Sequence, residues 1–366
     1  MPGNQRAPPQ GEDTLSDSHD DLAAAWLEFN RRSIDAAMKL REASTAAVGC
    51  SLKSEVWRQD KVVLYRYLPL PFIQAARAKP VLICFALVNR PYVLDLQPDR
   101  SLIRRLLAAG LEVYLIDWGR PDESDRDVGL YDYIERYLGA CVHQVLKSHG
   151  SKALNLIGVC QGGTFSLCYC ALNPQHVANL VTMVTPVDFQ TPDDLLSKWV
   201  RHLDMDSIRR AGNIPGAMLT GLFLSLAPFR LMNQKYVGLL DHVLDAGEAE
   251  RFVRMEKWIF DSPDQVAAAT AQFVQWFYQE NRLIHGSVEL GGRRVNLQRI
   301  RQPVLNIYAK QDHIVPPSAV TALRRYIGSR DYTEQAVDTG HIGLYVSRTA
   351  QEHVPGLIAS WIRARA

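Results

Sequence analysis

The sequence has almost no excess charge of either sign. Its 41 lysines and arginines and 39 aspartates and glutamates leave a formal net charge of +2. A nucleic-acid-binding domain usually shows a broad basic face. The composition does not indicate such a face, so we expect no nucleic acid partner. Any recognition of acidic groups must depend on a local cluster of basic residues.

Cysteine is scarce and does not have metal-binding spacing. The six cysteines lie at positions 50, 84, 141, 160, 168 and 170. They show neither the paired spacing of zinc sites nor the density of small secreted disulfide scaffolds. No two histidines have the helical spacing that holds a metal. We expect free thiols in a reducing compartment, no metal and no cofactor.

Long apolar runs are also missing. The longest strongly apolar stretch, residues 214–226, is well short of the ~20 residues that span a bilayer. The first 21 residues lack the apolar centre of a secretory signal. We expect a cytoplasmic protein without a transmembrane segment, and we interpret residues 214–226 as a buried or interfacial helix.

The most informative stretch surrounds Cys160. An apolar run over residues 154–159 enters a Gly-x-Cys-x-Gly turn centred on Cys160, and a predicted helix follows from Thr164 to Leu172. In a nucleophile elbow, the glycines permit a strained backbone that projects the middle side chain above the sheet. The pattern predicts that Cys160 is a nucleophile, with thioesters as natural substrates. The alternative is a buried, inert thiol, as we assume for Cys84, Cys168 and Cys170.

Uninterrupted apolar strands alternate with helical patterns along most of the chain. Such strands, at residues 81–88, 111–116, 154–159, 180–187 and 304–309, are typical of a parallel sheet covered on both faces. Two strand-like runs within residues 55–67 predict an antiparallel start to this sheet. The predicted fold class is α/β, specifically an α/β-hydrolase fold with a mostly parallel central sheet and an inserted helical cap.

This alternation divides the chain into five predicted segments. They are a disordered tail (1–20), an N-terminal helical segment (21–54), the first part of the core (55–188), a helical cap or lid (189–295) and the second part of the core (296–366). The cap segment is rich in aromatic residues and interrupted by prolines. An insertion placed near a nucleophile is most simply a cover over the active site.

A cysteine nucleophile needs a base, and the base needs an orienting acid. On α/β-hydrolase sheets the chain order is nucleophile, acid, histidine. Asp312 and His341 each follow a predicted strand, so we expect both on the same rim as Cys160. Asp188 is a rival acid, although it could simply cap the entry to the insertion. His313 is the rival histidine, and we interpret it as structural.

The oxyanion that forms on a thioester carbonyl needs backbone donors. One should be the amide of Gln161, the residue after the nucleophile, and the second should come from Val88 or Asn89 in the loop after the strand at 81–88. Arg90 in the same loop could bind a phosphate of the substrate. A salt bridge to Asp95 or Asp117 is at least as good an explanation of that arginine.

At this point the sequence resembles the polyhydroxyalkanoate synthases, and most closely the short catalytic subunit of the class III type. The resembling segments are residues 86–92, 114–119, 184–189, 255–263, 312–317 and 340–343, together with the Cys160 box. They cover roughly residues 55–365. Gln161 after the cysteine favours class III over class IV, whereas residues 1–50 have no counterpart that we can match.

The resemblance implies a triad of Cys160, Asp312 and His341. It implies that 3-hydroxyacyl-CoA, with a short chain such as 3-hydroxybutyryl, loads the cysteine and releases CoA, after which a hydroxyl attacks and lengthens a polyester. Asp312 would be either the orienter of the histidine or the base for that hydroxyl. Trp258 lies in one of the resembling segments and is a candidate substrate contact. The expected partners are a second, non-homologous subunit, a second copy of the chain and the surface of polyester granules.

Two other readings of the residues stay open at this stage. One is a cysteine-dependent hydrolase of esters, lactones or thioesters, which would make free acids from the outset. The other is a scaffold at the granule surface, which would need no reactive thiol.

Overall fold

The computed structural model describes residues 28, 31, 34, 35, 38–226 and 246–366. The predicted tail at residues 1–20 lies outside the described residues, as does much of the predicted N-terminal helical segment before residue 38. Residues 38–43 of that segment are helical.

An eight-stranded sheet forms the centre of the larger of two compact units, which spans residues 47–228 and 255–366. The strands of the described residues are β1 (Lys53–Gln59), β2 (Val62–Tyr67), β3 (Val81–Cys84), β4 (Asp95–Gln97), β5 (Arg100–Ser101), β6 (Val113–Asp117), β7 (Leu154–Val159), β8 (Val177–Met183), β9 (Glu289–Leu290), β10 (Arg293–Arg294), β11 (Val304–Ala309) and β12 (Tyr332–Val337). The order in the large sheet is β1-β2-β6-β3-β7-β8-β11-β12. β1, β2 and β6 pair antiparallel and the remaining neighbours pair parallel, as the sequence predicts.

The helices connect these strands and cover the sheet. The α-helices of the described residues are α1 (Leu102–Ala108), α2 (Gly139–His149), α3 (Gln161–Leu172), α4 (Leu195–Val200), α5 (Met205–Ala211), α6 (Gly216–Ser225), α7 (Ala246–Ile259), α8 (Ala267–Phe273), α9 (Arg282–His285), α10 (Pro317–Thr321), α11 (Leu323–Tyr326), α12 (Gly343–Val346) and α13 (Arg348–Arg363). Asp132–Leu138 and Val274–Gln279 form π-helical turns, and the 3₁₀ turns are Pro91–Leu94, Glu123–Asp125, Pro174–His176 and Leu297–Arg299.

Two apolar layers enclose the sheet, which explains its uninterrupted apolar strands. All six residues of β7 are buried, because the strand lies between β3 and β8 and is covered on both faces. One layer gathers side chains around α2 and α3, and the other gathers side chains around α1, α12 and α13. All twelve residues of α3 are buried, so this helix supports the elbow from within the core.

The expected strand at residues 81–88 is wrong at its carboxyl end, because β3 stops at Cys84. The backbone after Cys84 leaves the sheet, and the carbonyl of Phe85 accepts a hydrogen bond from the indole of Trp118 at 2.9 Å. The first turn of α3 occupies the adjacent space. Residues 85–90 therefore form a loop above the sheet instead of continuing the strand.

The predicted cap segment (189–295) contributes α4 to α9 and the β9–β10 hairpin. Residues 227–245 of this segment lie outside the described part. The described residues up to 46 and those at 247–254 belong to a second, smaller unit, and within it Ala43 packs against Ala249. None of the described helices is both long enough and apolar enough to cross a bilayer.

Candidate active site

Cys160 occupies the turn between β7 and α3. Its φ of 54° and ψ of −124° place a residue that has a β-carbon in a sparsely populated backbone region. The turn is fixed on both sides, because the amide of Cys160 donates to Met183 on β8 at 2.9 Å and its carbonyl accepts from the amide of Gly163 at 2.9 Å. The side chain is partly exposed, as a nucleophile elbow requires.

The two glycines after the turn are needed for close approach. A β-carbon at Gly162 would collide with the carbonyls of Cys84 and Phe85, and one at Gly163 would collide with the side chain of Thr185. In both cases the added β-carbon would lie closer to its neighbour than van der Waals contact allows. At Gly162 the neighbour is backbone, which cannot move aside as a flexible side chain can. The sequence pattern thus reflects packing of α3 against neighbouring strands.

The structure brings Asp312 and His341 together. Asp312 follows β11 and His341 follows β12, and Asp312 Oδ2 lies 2.7 Å from His341 Nδ1. Both side chains are buried, with exposed fractions of 1% and 5%. Asp312 Oδ1 accepts from the amides of Ile314 at 2.9 Å and Val315 at 2.8 Å, so both carboxylate oxygens are occupied.

The environment favours a charged imidazole on His341. Burial by itself lowers the pKa of His341, but the charge of Asp312, the charge of Cys160 and hydrogen bonds to both of these side chains raise it above its ordinary value. The net direction is upward, because the imidazolium has an anion on each side. The arrangement can hold a thiolate and imidazolium pair, which is the reactive form of a cysteine nucleophile.

The rival acid Asp188 is engaged elsewhere. Its Oδ1 accepts from the amide of Gln190 at 3.1 Å and from Asn281 Nδ2 at 2.9 Å. Asn281 adopts the left-handed region with φ of 50° and also accepts from the amide of Phe189 at 3.1 Å. Asp188 thus links the residues that follow β8 to the inserted segment. The carboxylate that binds the imidazole of His341 is Asp312. The structural role assigned to His313 stays a prediction.

The loop after β3 lies against the first residue of α3. Gln161 Oε1 accepts from the amide of Leu87 at 3.0 Å, so the side chain of Gln161, which sequence reasoning missed, pins this loop beside the elbow. Among the described residues, the amides of Gln161, Val88 and Asn89 have no hydrogen-bond acceptor. These unpaired amides could donate hydrogen bonds to an oxyanion.

The inserted segment also holds this loop. Gln265 Nε2 donates to the carbonyl of Leu87 at 3.2 Å, and Ser262 Oγ lies 3.2 Å from Asn89 Oδ1. Trp258 is 3% exposed, and its indole donates to the carbonyl of Arg90 at 2.7 Å. Trp258 therefore anchors the loop, and its contact with substrate stays a prediction.

Arg90 is engaged in an ion pair. Its guanidinium donates to Asp117 at 2.9 Å and to the carbonyl of Gly119 at 2.6 Å, and both members of the pair are largely buried. This is the salt bridge considered as the alternative to phosphate binding. Binding of a substrate phosphate by Arg90 stays a prediction.

Two tyrosines near the cysteine escaped the sequence reasoning. Tyr345 is buried, and its hydroxyl lies 3.3 Å from His341 Nε2. Burial is the main cause that raises the pKa of Tyr278 and of Tyr345 well above the ordinary value, and the charge of Cys160 adds to it in both. Tyr345 follows His341 by four residues, which could have suggested that it lies nearby.

The other core cysteines differ from Cys160. Cys84 and Cys168 are fully buried, and burial raises the pKa of each thiol to about 12. Such thiols are unreactive at neutral pH. Within the described ranges, no three His, Cys, Asp or Glu side chains are grouped to hold a metal.

Comparison with known proteins agrees with this architecture. Residues 79–347 match a family model described as the alpha/beta hydrolase fold. The structure superposes on a putative lipase from Sulfolobus solfataricus with a TM-score of 0.55 at 14% identity, covering 86% of this chain and 93% of the other. At that identity the likeness concerns the fold alone.

Sequence relatives are much closer. The chain is 50% identical to the poly(3-hydroxyalkanoate) polymerase subunit PhaC of Allochromatium vinosum, over 94% of this chain and 98% of the relative. It is 48% identical to the subunit of the same name from Thiocystis violacea, with the same coverage. The Synechocystis PhaC is 47% identical over 87% of this chain and 86% of the relative.

Proposed function

The chain belongs to the PhaC poly(3-hydroxyalkanoate) polymerases of the α/β-hydrolase fold, which are acyltransferases, and we propose that it polymerises short-chain 3-hydroxyacyl-CoA through an acyl thioester on Cys160. The observation that carries the mechanism is the buried Asp312 and His341 pair at 2.7 Å, beside a cysteine held on a strained elbow. The substrate chain would be short, such as 3-hydroxybutyryl.

In the proposed acylation, His341 Nε2 takes the thiol proton and the Cys160 sulfur attacks the thioester carbonyl. The oxyanion is held by the amides of Gln161 and of Val88 or Asn89. When the intermediate collapses, the carbon–sulfur bond to CoA breaks and the proton passes from His341 to the departing sulfur. The acyl group then resides on Cys160, and His341 is neutral.

Elongation repeats this sequence with a hydroxyl as the nucleophile. His341 Nε2 takes the proton of a 3-hydroxyl as its oxygen attacks the Cys160 thioester, an ester bond forms, and the thiolate returns. Of the two roles open to Asp312, we favour orienting His341, since one carboxylate oxygen is bound to the imidazole and the other to two backbone amides. An alcohol in contact with that carboxylate would have to displace one of these donors.

The inserted helical segment at 189–295 would act as the lid that limits access of water to the acyl-enzyme. Its contacts with the loop at residues 85–90 support this role. Arg90 and Trp258 stay candidate substrate contacts at this loop. We further propose a second subunit of the class III type, because the relatives are named as polymerase subunits, a homodimer and attachment to polyester granules.

The test uses the purified chain with and without a candidate second subunit. Given 3-hydroxybutyryl-CoA, we expect CoA release and polymer formation, with complete loss in Cys160→Ala and retention in the matched variant Cys168→Ala. Turnover in Cys160→Ala would refute the nucleophile assignment. Free 3-hydroxy acid as the main product from the start would favour a hydrolase.

A further inference from the structure

The hydroxyl of Tyr345 lies at the nitrogen of His341 that performs the proposed chemistry. It is 3.3 Å from Nε2, and the side chain is only 1% exposed. The ring packs edge-on against Phe85, with centroids 6.2 Å apart, and against His341 at 5.9 Å. Packing on two sides therefore holds the ring, whereas the hydroxyl proton can rotate about its bond to the ring.

The direction of this hydrogen bond follows from the Asp312 contact. A carboxylate can only accept, so Nδ1 of His341 carries the proton that points to Asp312. In a neutral imidazole, Nε2 is then an acceptor, and the Tyr345 hydroxyl donates to it. Burial, with the charges of Cys160 and Asp312, raises the pKa of Tyr345 well above its ordinary value, so the hydroxyl keeps its proton.

Before acylation, Cys160 shares a proton with Nε2 of His341. The sulfur of an acyl thioester has no proton to share, so this partner is lost in the acyl-enzyme. His341 is neutral at this stage, because its proton has left with CoA. A water that took the vacated position on Nε2 would be activated to hydrolyse the thioester.

We propose that Tyr345 is a positioning residue that donates to His341 Nε2 in the acyl-enzyme, excludes water from that position and so favours polymer growth over hydrolysis. The inference rests on the proposed function. When a 3-hydroxyl enters, it replaces Tyr345 as the donor to Nε2 and attacks the thioester carbonyl. The carbon–sulfur bond breaks, the ester bond forms, and the hydroxyl proton moves to Nε2.

The chain contains a matched control for removal of this hydroxyl. Tyr114 on β6 places its hydroxyl 3.0 Å from His149 Nε2, with the rings edge-on at 5.7 Å. The same hydroxyl lies 3.3 Å from Glu112 Oε1. Tyr114→Phe removes a tyrosine–histidine hydrogen bond at a histidine that plays no part in the proposed chemistry. Each substitution retains the ring and its edge-on packing, so we expect both variants to fold, which circular dichroism checks.

The experiment compares wild type, Tyr345→Phe and Tyr114→Phe with 3-hydroxybutyryl-CoA. Released CoA, free 3-hydroxybutyrate and polymer are measured together. We expect the fraction of free acid per CoA released to rise at least fivefold in Tyr345→Phe and to stay at the wild-type value in Tyr114→Phe. A purely structural role would change the rate without changing this partition.

A second arm uses butyryl-CoA, whose acyl group lacks the 3-hydroxyl. Water is then the only acceptor, and loss of the butyryl group from Cys160 is followed by mass spectrometry. We expect faster loss in Tyr345→Phe. An unchanged partition and an unchanged rate of loss would overturn the inference while leaving the proposed function intact, whereas a wild-type protein that released no CoA would overturn both.

Discussion

Asp312→Asn tests the proposed triad most directly, because it is nearly isosteric and changes one charge. The asparagine oxygen can still accept from the amides of Ile314 and Val315. Its amide group then faces His341 Nδ1 and forces that nitrogen to accept. The proton of a neutral imidazole moves to Nε2, which can no longer take a proton from Cys160.

The expected cost falls on activity far more than on stability. A reversed tautomer in a comparable triad lowers kcat by about 10⁴, equivalent to about 5 kcal/mol of barrier. The free energy of unfolding should fall by no more than about 1–2 kcal/mol, since the two loop hydrogen bonds survive. Asp312→Ala loses all three hydrogen bonds and leaves the amides of Ile314 and Val315 without their acceptor, so we expect the free energy of unfolding to fall by about 3–5 kcal/mol.

The assay combines CoA release with urea unfolding for both variants, and Asp188→Asn is the matched control. Asp188 accepts from one backbone amide and one side-chain amide, so its replacement should leave CoA release within a few-fold of wild type. The reasoning is refuted if Asp312→Asn retains more than a tenth of wild-type activity. It is equally refuted if Asp188→Asn is the more damaging variant.

Three further predictions concern stability. Gly163→Ala should lower the free energy of unfolding by about 1–3 kcal/mol in thermal or urea melts, because the new methyl collides with buried Thr185. In the control Gly221→Ala the new methyl meets no atom within 4 Å, so this variant should be more stable than wild type by up to about 1 kcal/mol. Equal effects of the two substitutions would contradict the prediction. Burial raises the pKa of Asp194 to about 6. Between about pH 4 and pH 6 the folded chain keeps a proton on Asp194 that the unfolded chain has lost. The stability of the folded state therefore falls as the pH rises from about 4 through 6. Asp194→Asn keeps the helix cap and should therefore be more stable than wild type at pH 7.5, by at most about 3 kcal/mol, with no advantage at pH 4; a pH-independent difference would count against burial as the cause. Trp258→Phe loses the indole hydrogen bond to the half-buried carbonyl of Arg90, so the free energy of unfolding in urea should fall by about 0.5–1.5 kcal/mol. An unchanged midpoint would disprove this.

Sequence patterns located the elements around the site well but missed where β3 and β8 end, since β8 stops at Met183 and not at residue 187. β7 and β11 have the predicted bounds, because each is a short apolar run with clear flanking breaks. β3 stops four residues before the predicted end, because Phe85 to Val88 are as apolar as the strand itself. Only the approach of α3 to Cys84 and Phe85 shows why the chain turns away there.

The amino-acid sequence alone determined the fold class, the elbow and the order of nucleophile, acid and histidine, since these follow from local periodicity and from the chain order typical of this fold. Tertiary structure decided which carboxylate meets which imidazole. Asp188 and Asp312 both follow strands of one sheet. Asp188, however, is bound by Gln190, which is near in sequence, and by Asn281, which is distant in sequence. Tertiary structure also placed Tyr345 on His341 Nε2 and Gln161 on the loop. A side chain's partner depends on distances between separate elements, which no local pattern encodes.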